Sequence, residues 1–279
     1  MAAHPPRGTG RTGTVRTLRV PGQPALAVDV AGEGPLVLFL HGVGGNRTNW
    51  TDQLLALAPE FAAAAPDARG YGDSDDHAGA LAMEDFSADA CRVLDHLGAG
   101  AAHIVGLSMG GLVAQDLYAR HPERVLSLVL ADTAAGRRPE QSDAWVEEFL
   151  ALRRAPLLAG KTPAEIAPKV MESLVGRAAS EESRARLLAS LSALRRDGYL
   201  AALETVTRYA PILDHAAVRV QVLVVCGTDD RVTPPKASRR LAEAIPGARL
   251  ALIEDAGHLS NIERPEEFNA VLLAFLRSV

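Results

Sequence analysis

The sequence predicts an α/β protein: a mostly parallel central sheet with helices on both faces, interrupted by a helical insertion. Three observations predict it. Short, unbroken apolar runs such as residues 36–40 and 222–226 mark strands buried on both faces. Between residues 36 and 131 such runs alternate with helical patterns, as a chain winding a parallel sheet requires. The alternation then stops at Gly136, only helical segments follow to about residue 211, and strands resume at residue 220.

Taken in order, residues 15–20 and 24–31 read as two strands joined by a turn at Pro21-Gly22. The run 36–40 ends in the flexible loop His41-Gly42-Val43-Gly44-Gly45, and residues 51–57 look helical. A weaker strand at 61–66 leads into the turn-rich stretch Asp67 to Ser74, whose Arg69 and Asp73 would hold the strand end. Phe86, Ala90, Val93, Leu94 and Leu97 recur at helical spacing, and Gly98 closes that helix. A strand at 103–107, a helix at 110–120 stopped by Pro122, and a strand at 125–131 complete the first part. In the insert, Thr162-Pro163-Ala164-Glu165 has the pattern of a capping box with proline at the first helical position. Residues 220–226 and 248–253 are strands, and 237–245 and 265–276 are helices. The expected organisation is a tail at 1–14, a core at 15–136 and 212–279, and a helical cap at 137–211. An insert so placed sits over the carboxyl ends of the strands, where α/β proteins bind ligands.

Composition narrows the function. The 279 residues carry a net charge of −5 with no basic stripe, so no nucleic-acid partner is expected. No apolar run approaches the roughly 18 residues of a membrane helix, so no membrane partner is expected either. Cys91 and Cys226 form neither a disulfide framework nor a zinc spacing and read as buried free thiols. The first residues, rich in Pro, Gly, Arg and Thr, lack the apolar core of a secretory signal, and a cytoplasmic location is expected. No metal and no cofactor is expected, and the chain would be a monomer or homodimer.

The strongest chemical signal is Gly106-Leu107-Ser108-Met109-Gly110, which reads G-x-S-x-G after a strand and before a helix. That context makes a sharp turn that exposes the Ser108 hydroxyl at a helix N-terminus, with the Met109 N–H aimed where an oxyanion would form. A serine needs a base oriented by a carboxylate. Of eight histidines, His258 alone stands in a loop after the last strand, on the side of Ser108. Two acids compete to orient it: Asp230, four residues before Pro234, is taken as the partner, while Asp229 would cap or solvate the turn. Asp132, after the strand that follows the serine, is another place for that acid. The N–H of Val43 is the candidate second oxyanion donor. Trp50 and Trp145 are candidate pocket residues, and Arg137 and Arg138 are candidate partners for a substrate carboxylate.

Together His41-Gly42, Asp67-x-Arg69-Gly70-x-Gly72-x-Ser74, Gly106-x-Ser108-x-Gly110, Gly227-x-x-Asp230-x-x-x-Pro234 and Gly257-His258 resemble the α/β-hydrolase superfamily from about residue 25 onward. Within it, residues 106–111, 121–125, 130–135 and 257–263 look like 3-oxoadipate enol-lactonases. One departure stands out: His41-Gly42 occupies a segment where those lactonases often carry an Asn-Ser type sequence, and is as in general esterases. The resemblance implies a cofactor-free serine hydrolase acting on a small ester or lactone. Carbon–carbon bond hydrolases, acyltransferases and perhydrolases share the same triad, and a non-catalytic ligand receptor on this fold would lack one.

Overall fold

The computed structural model describes residues 13–136 and 142–279. Eight strands form one sheet: β1 (Arg16–Val20), β2 (Leu26–Ala31), β3 (Leu36–Leu40), β4 (Ala62–Pro66), β5 (Ala102–Leu107), β6 (Val125–Ala131), β7 (Gln221–Gly227) and β8 (Arg249–Ile253). Their order across the sheet is β1-β2-β4-β3-β5-β6-β7-β8. The β1–β2 and β2–β4 pairs are antiparallel, and the five pairs from β4 to β8 are parallel.

Ten α-helices connect or flank these strands. They are α1 (Thr51–Leu57), α2 (Met83–His96), α3 (Met109–Arg120), α4 (Asp143–Leu158), α5 (Pro163–Leu174), α6 (Glu181–Ser192), α7 (Arg196–Arg208), α8 (Pro235–Ala244), α9 (Ser260–Glu263) and α10 (Pro265–Leu276) among the described residues. The alternating residues of β3 show why its apolar run is unbroken. Leu36, Leu38 and Leu40 face a core shared with α2, α3 and α8, whereas Val37 and Phe39 face one shared with α1 and α10. Each face of the strand is covered, so neither can be polar.

The path of the chain reverses at β3. From β3 it passes to β4 on one side, then returns to β5 on the other. The loops that leave β3 and β5 at their carboxyl ends therefore diverge, and a crevice opens between them. Into that crevice come the loop 41–46 and the turn at Ser108.

Helices α4 to α7 stand between β6 and β7, with no strand among the described residues there. The capping box at the start of α5 is present: Thr162 accepts from the Glu165 N–H, and Glu165 accepts from the Thr162 N–H. Val146, Leu150, Leu157, Tyr199 and Leu203 give α4 and α7 a small core of their own, with Val43 of the β3 loop packed against it. Cys226 is buried on β7, while Cys91 on α2 is only half-buried; both thiols are free. Among the described residues, no helix is long and apolar enough to cross a membrane.

Candidate active site

Ser108 links β5 to α3 with φ 54° and ψ −114°. A non-glycine residue in that region costs about 1–3 kcal/mol and persists only where its surroundings leave no alternative. Here the surroundings are glycines at close approach. A Cβ on Gly106 would lie 2.1 Å from the Gly110 carbonyl oxygen, and one on Gly110 would lie 2.0 Å from that of Leu40. The Ser108 side chain makes no helix cap. Its backbone is held instead: its N–H donates to Ala131 O (3.0 Å), and its carbonyl accepts from Gly111 N, Leu112 N and Thr133 Oγ1.

The hydroxyl is thereby free to meet His258, whose Nε2 lies 2.9 Å from Ser108 Oγ. The opposite ring nitrogen, Nδ1, lies 2.8 Å from Asp230 Oδ2. A carboxylate only accepts, so Nδ1 carries the proton and Nε2 presents its lone pair to the serine. Asp230 is fixed in turn. Its Oδ1 accepts from the N–H groups of Val232 (2.8 Å) and Thr233 (3.0 Å), and its Oδ2 also accepts from Thr233 Oγ1 (2.7 Å). Burial alone would push Asp230 up, but the His258 bond and the Thr233 donors outweigh it and hold the carboxyl below its ordinary range. For His258, burial works against the imidazolium, yet Asp230, then Asp132 and Glu263, raise it above its ordinary value.

Asp229 faces elsewhere. Its carboxylate accepts from the backbone N–H of Arg177 (3.0 Å) and from the Arg177 guanidinium, Nε at 3.0 Å and Nη2 at 2.9 Å. Of the two neighbouring acids, one thus serves the histidine and the other ties the insert to the core.

The β3 loop approaches Ser108 from the other side. A Cβ on Gly42 would lie 3.0 Å from the Ser108 Cβ. Val43 follows it inside a turn closed by Gly45 N–H to Gly42 O (3.0 Å), a bond in which the Val43 N–H takes no part. Met109 is the first residue of α3, so its N–H has no carbonyl partner a turn earlier in that helix. His41 shapes this loop. Gly42 O, an acceptor, sits 2.9 Å from its Nδ1, and the Ala68 N–H donates to its Nε2 at 3.0 Å. Those partners fix the neutral tautomer, and burial, which lowers the pKa, favours it further.

Above Ser108 and His258 lies a cavity of about 440 Å³, its open mouth included. Leu107 and Leu259 of the core and Leu174, Leu187 and Leu191 of the insert give it apolar walls. Trp50 lines it as well, its ring packed between Phe39 and Phe268 at 5.0 and 6.2 Å. The Trp50 Nε1 and the Asn261 Oδ1, from two residues of this lining, are buried without a hydrogen-bond partner. Trp145 stands apart from that lining. It lies on α4, 39% exposed and stacked on Phe149 at 5.1 Å. Arg137 and Arg138 lie outside the described residues.

Two further buried carboxylates stand near His258: Glu263, to which the sequence gave no role, and Asp132, which the sequence offered only as an alternative place for the acid that orients His258. Glu263, 3% exposed on α9, accepts from the N–H of Gly257, beside His258, and from that of Gly176 in the insert, at 3.1 and 2.8 Å. The same insert segment accepts the His258 N–H at Leu174 O (2.8 Å) and the Arg231 guanidinium at Glu172 O and Val175 O. Asp132, wholly buried, accepts from Gly227 N, Ser260 N and Ser260 Oγ. With Cys226 and Asp230 it forms a group whose ligand atoms lie within 4.8 Å of one another. The carboxylate oxygens there already accept hydrogen bonds, and burial pushes the Cys226 thiol up to about 12, so these oxygens are engaged in the hydrogen-bond network. Glu263 left a trace in sequence, a Glu in the stretch that follows His258. Nothing in the pattern around Asp132 separates an acid that faces the histidine from one that holds its loop.

The strained serine after β5, the histidine after β8 and the reversal of the chain at β3 define a class. The chain belongs to the alpha/beta hydrolase fold family, whose model matches residues 35–265. It is a hydrolase of that family, with esterase and enol-lactonase relatives. It is 27% identical to 3-oxoadipate enol-lactonase 2 of Acinetobacter baylyi over 246 residues, 87% of this chain and 89% of that one. A thermophilic esterase from Thermogutta terrifontis superposes with a TM-score of 0.86 at 29% identity, covering 94% of this chain and 98% of the other. A hydrolase from Pseudomonas aeruginosa PA01 superposes with a TM-score of 0.83 at 30% identity, covering 95% and 99%.

Proposed function

We propose that the chain is a serine hydrolase that cleaves a small ester or lactone through an acyl-enzyme. The observation that carries this reading is the line from Ser108 Oγ to His258 Nε2 (2.9 Å) and from His258 Nδ1 to Asp230 Oδ2 (2.8 Å), at the floor of the cavity. Ser108 Oγ attacks the carbonyl carbon while His258 Nε2 takes its proton. Asp230 keeps Nδ1 protonated and stabilises the imidazolium that forms. The N–H groups of Val43 and Met109 receive the oxyanion, a contribution of about 3 kcal/mol each in comparable sites. His258 then protonates the departing alkoxide, which for a lactone stays attached to the acyl chain. Water, deprotonated by the same nitrogen, attacks the acyl-enzyme, and collapse of the second tetrahedral adduct frees the acid and returns the proton to Ser108.

Substrate size follows from the walls. Five leucines wall the cavity above Ser108, and that apolar lining suits a compact acyl or lactone ring better than a long chain. The likeness to an enol-lactonase supports 3-oxoadipate enol-lactone or a close analogue. The test is kcat/KM for that enol-lactone beside a neutral lactone and p-nitrophenyl esters of rising chain length. The reading expects the enol-lactone or the shortest ester to lead, and best activity on long acyl chains overturns it. If the anionic lactone leads, Arg137→Ala or Arg138→Ala raises KM chiefly, because a carboxylate contact is made in ground and transition states alike.

A further inference from the structure

Asp132 occupies a costly position. It follows β6 with φ 44° and is wholly buried, and burial, then repulsion from the nearby Asp230, pushes its carboxyl up to about 7. A second buried carboxylate beside the first is a burden the fold does not need for packing. What it contacts explains its presence. One oxygen, Oδ1, accepts the N–H of Gly227 (2.8 Å), the last residue of β7, from which the turn to Asp230 starts. The other, Oδ2, accepts the N–H and the hydroxyl of Ser260 (3.2 and 2.5 Å), two residues after His258. Its backbone is tied to β7 as well, through its N–H to Val225 O (2.8 Å).

Building on the serine-hydrolase reading, we propose that Asp132 is a positioning residue: it holds the Asp230 turn and the His258 loop in register with each other. It forms no hydrogen bond to Ser108 or His258 itself. It acts through Gly227 and Ser260, and through its charge. When His258 takes the serine proton, the imidazolium is faced by Asp230 from the turn after β7, by Asp132 from the end of β6 and by Glu263 from α9. Asparagine cannot replace it, because an amide offers one acceptor oxygen where donors converge on both.

The test is Asp132→Asn, assayed for kcat, KM, the pH dependence of kcat/KM and the rate of labelling by a fluorophosphonate. The expected loss is on the order of a hundredfold in kcat with KM within about threefold. Burial, then Asp230, pushes Asp132 itself up to about 7, so its charge is present at and above neutral pH; removing it there makes the His258 imidazolium easier to deprotonate, so the acid limb moves to lower pH. Ser260→Ala, which leaves the carboxylate in place and removes one of its donors, loses less, about three- to tenfold. The double variant is scarcely worse than Asp132→Asn, because both act through one contact. The proposal is overturned if Asp132→Asn keeps wild-type kcat, if its acid limb stays in place, or if the Ser260 and Asp132 effects multiply independently. It is also overturned if Asp230→Asn stays active while Asp132→Asn is dead, which would make Asp132 the acid itself. Failure of the underlying reading looks different: the wild-type protein then takes no label at Ser108.

Discussion

The two sides of the site are held by different physics. The serine side is held by sterics. Gly106 and Gly110 let backbone approach backbone where a single Cβ would collide, Gly42 keeps the β3 loop tight against the Ser108 Cβ, and Ser108 takes φ 54° because the turn leaves it nothing else. The histidine side is held by buried carboxylates that collect N–H groups. Asp230 gathers those of Val232 and Thr233, Asp132 those of Gly227 and Ser260, and Glu263 those of Gly257 and Gly176. A steric device is all or nothing, because no partial Cβ exists. A hydrogen-bonded device degrades in steps, one donor at a time, and responds to pH.

That contrast orders the expected effects. Ser108→Ala should fold normally and lose turnover by about a million-fold, as triad hydrolases do; near-normal turnover would remove the serine from the mechanism. Asp230→Asn should lose about four orders of magnitude in kcat, because the amide favours the wrong histidine tautomer. Asp229→Asn, which loosens the Arg177 tie instead, should stay within about tenfold, and a reversal of the two would exchange their roles. Gly110→Ala should fail to accumulate as folded protein, whereas Glu263→Gln should fold and lose about tenfold in kcat, a difference that thermal melts and steady-state rates separate. If both behaved alike, the division between steric and hydrogen-bonded halves would collapse.

The pH profile sharpens the same point. On the proposed mechanism turnover requires His258 to be neutral, and its carboxylate neighbours raise it above the ordinary imidazole value. Activity should therefore fall, as pH is lowered, at a higher pH than a free imidazole would give. Variants on the serine side should leave that limb in place, and loss of a carboxylate on the histidine side should move it.

The two halves also differ in how far they were legible in the sequence. Steric demands leave a composition signature, since only glycine meets them, so Gly106-x-Ser108-x-Gly110 marked the turn and the adjoining strand and helix gave its direction. The unbroken run of β3 declared burial on both faces, and the capping box at Thr162 placed the start of α5. Asp230 could be set apart from Asp229 by its spacing to Pro234, and the structure turns Asp230 toward His258 and Asp229 toward Arg177. Carboxylates that bind backbone N–H groups leave no such mark, because their partners are amides that every residue carries. The anchoring contacts of Glu263 and Asp132 were invisible for that reason, although Glu263 itself stood in the stretch that follows His258. The loop in which the sequence places His258 gives way at Ser260 to a short helix whose pattern is too brief to show a period. Trp145 drew notice as a large aromatic early in the insert, yet it stacks on Phe149 at the surface of α4, because helical spacing placed the two on one face.

The most direct test of the whole account is covalent. Treatment with a fluorophosphonate, followed by intact-mass and peptide analysis, should give one adduct per chain at Ser108. Labelling should be lost in Ser108→Ala and strongly slowed in Asp230→Asn. Absence of any adduct on the folded wild-type protein, or a label that persists in Ser108→Ala, would contradict the assignment of Ser108 as the nucleophile that both halves exist to hold.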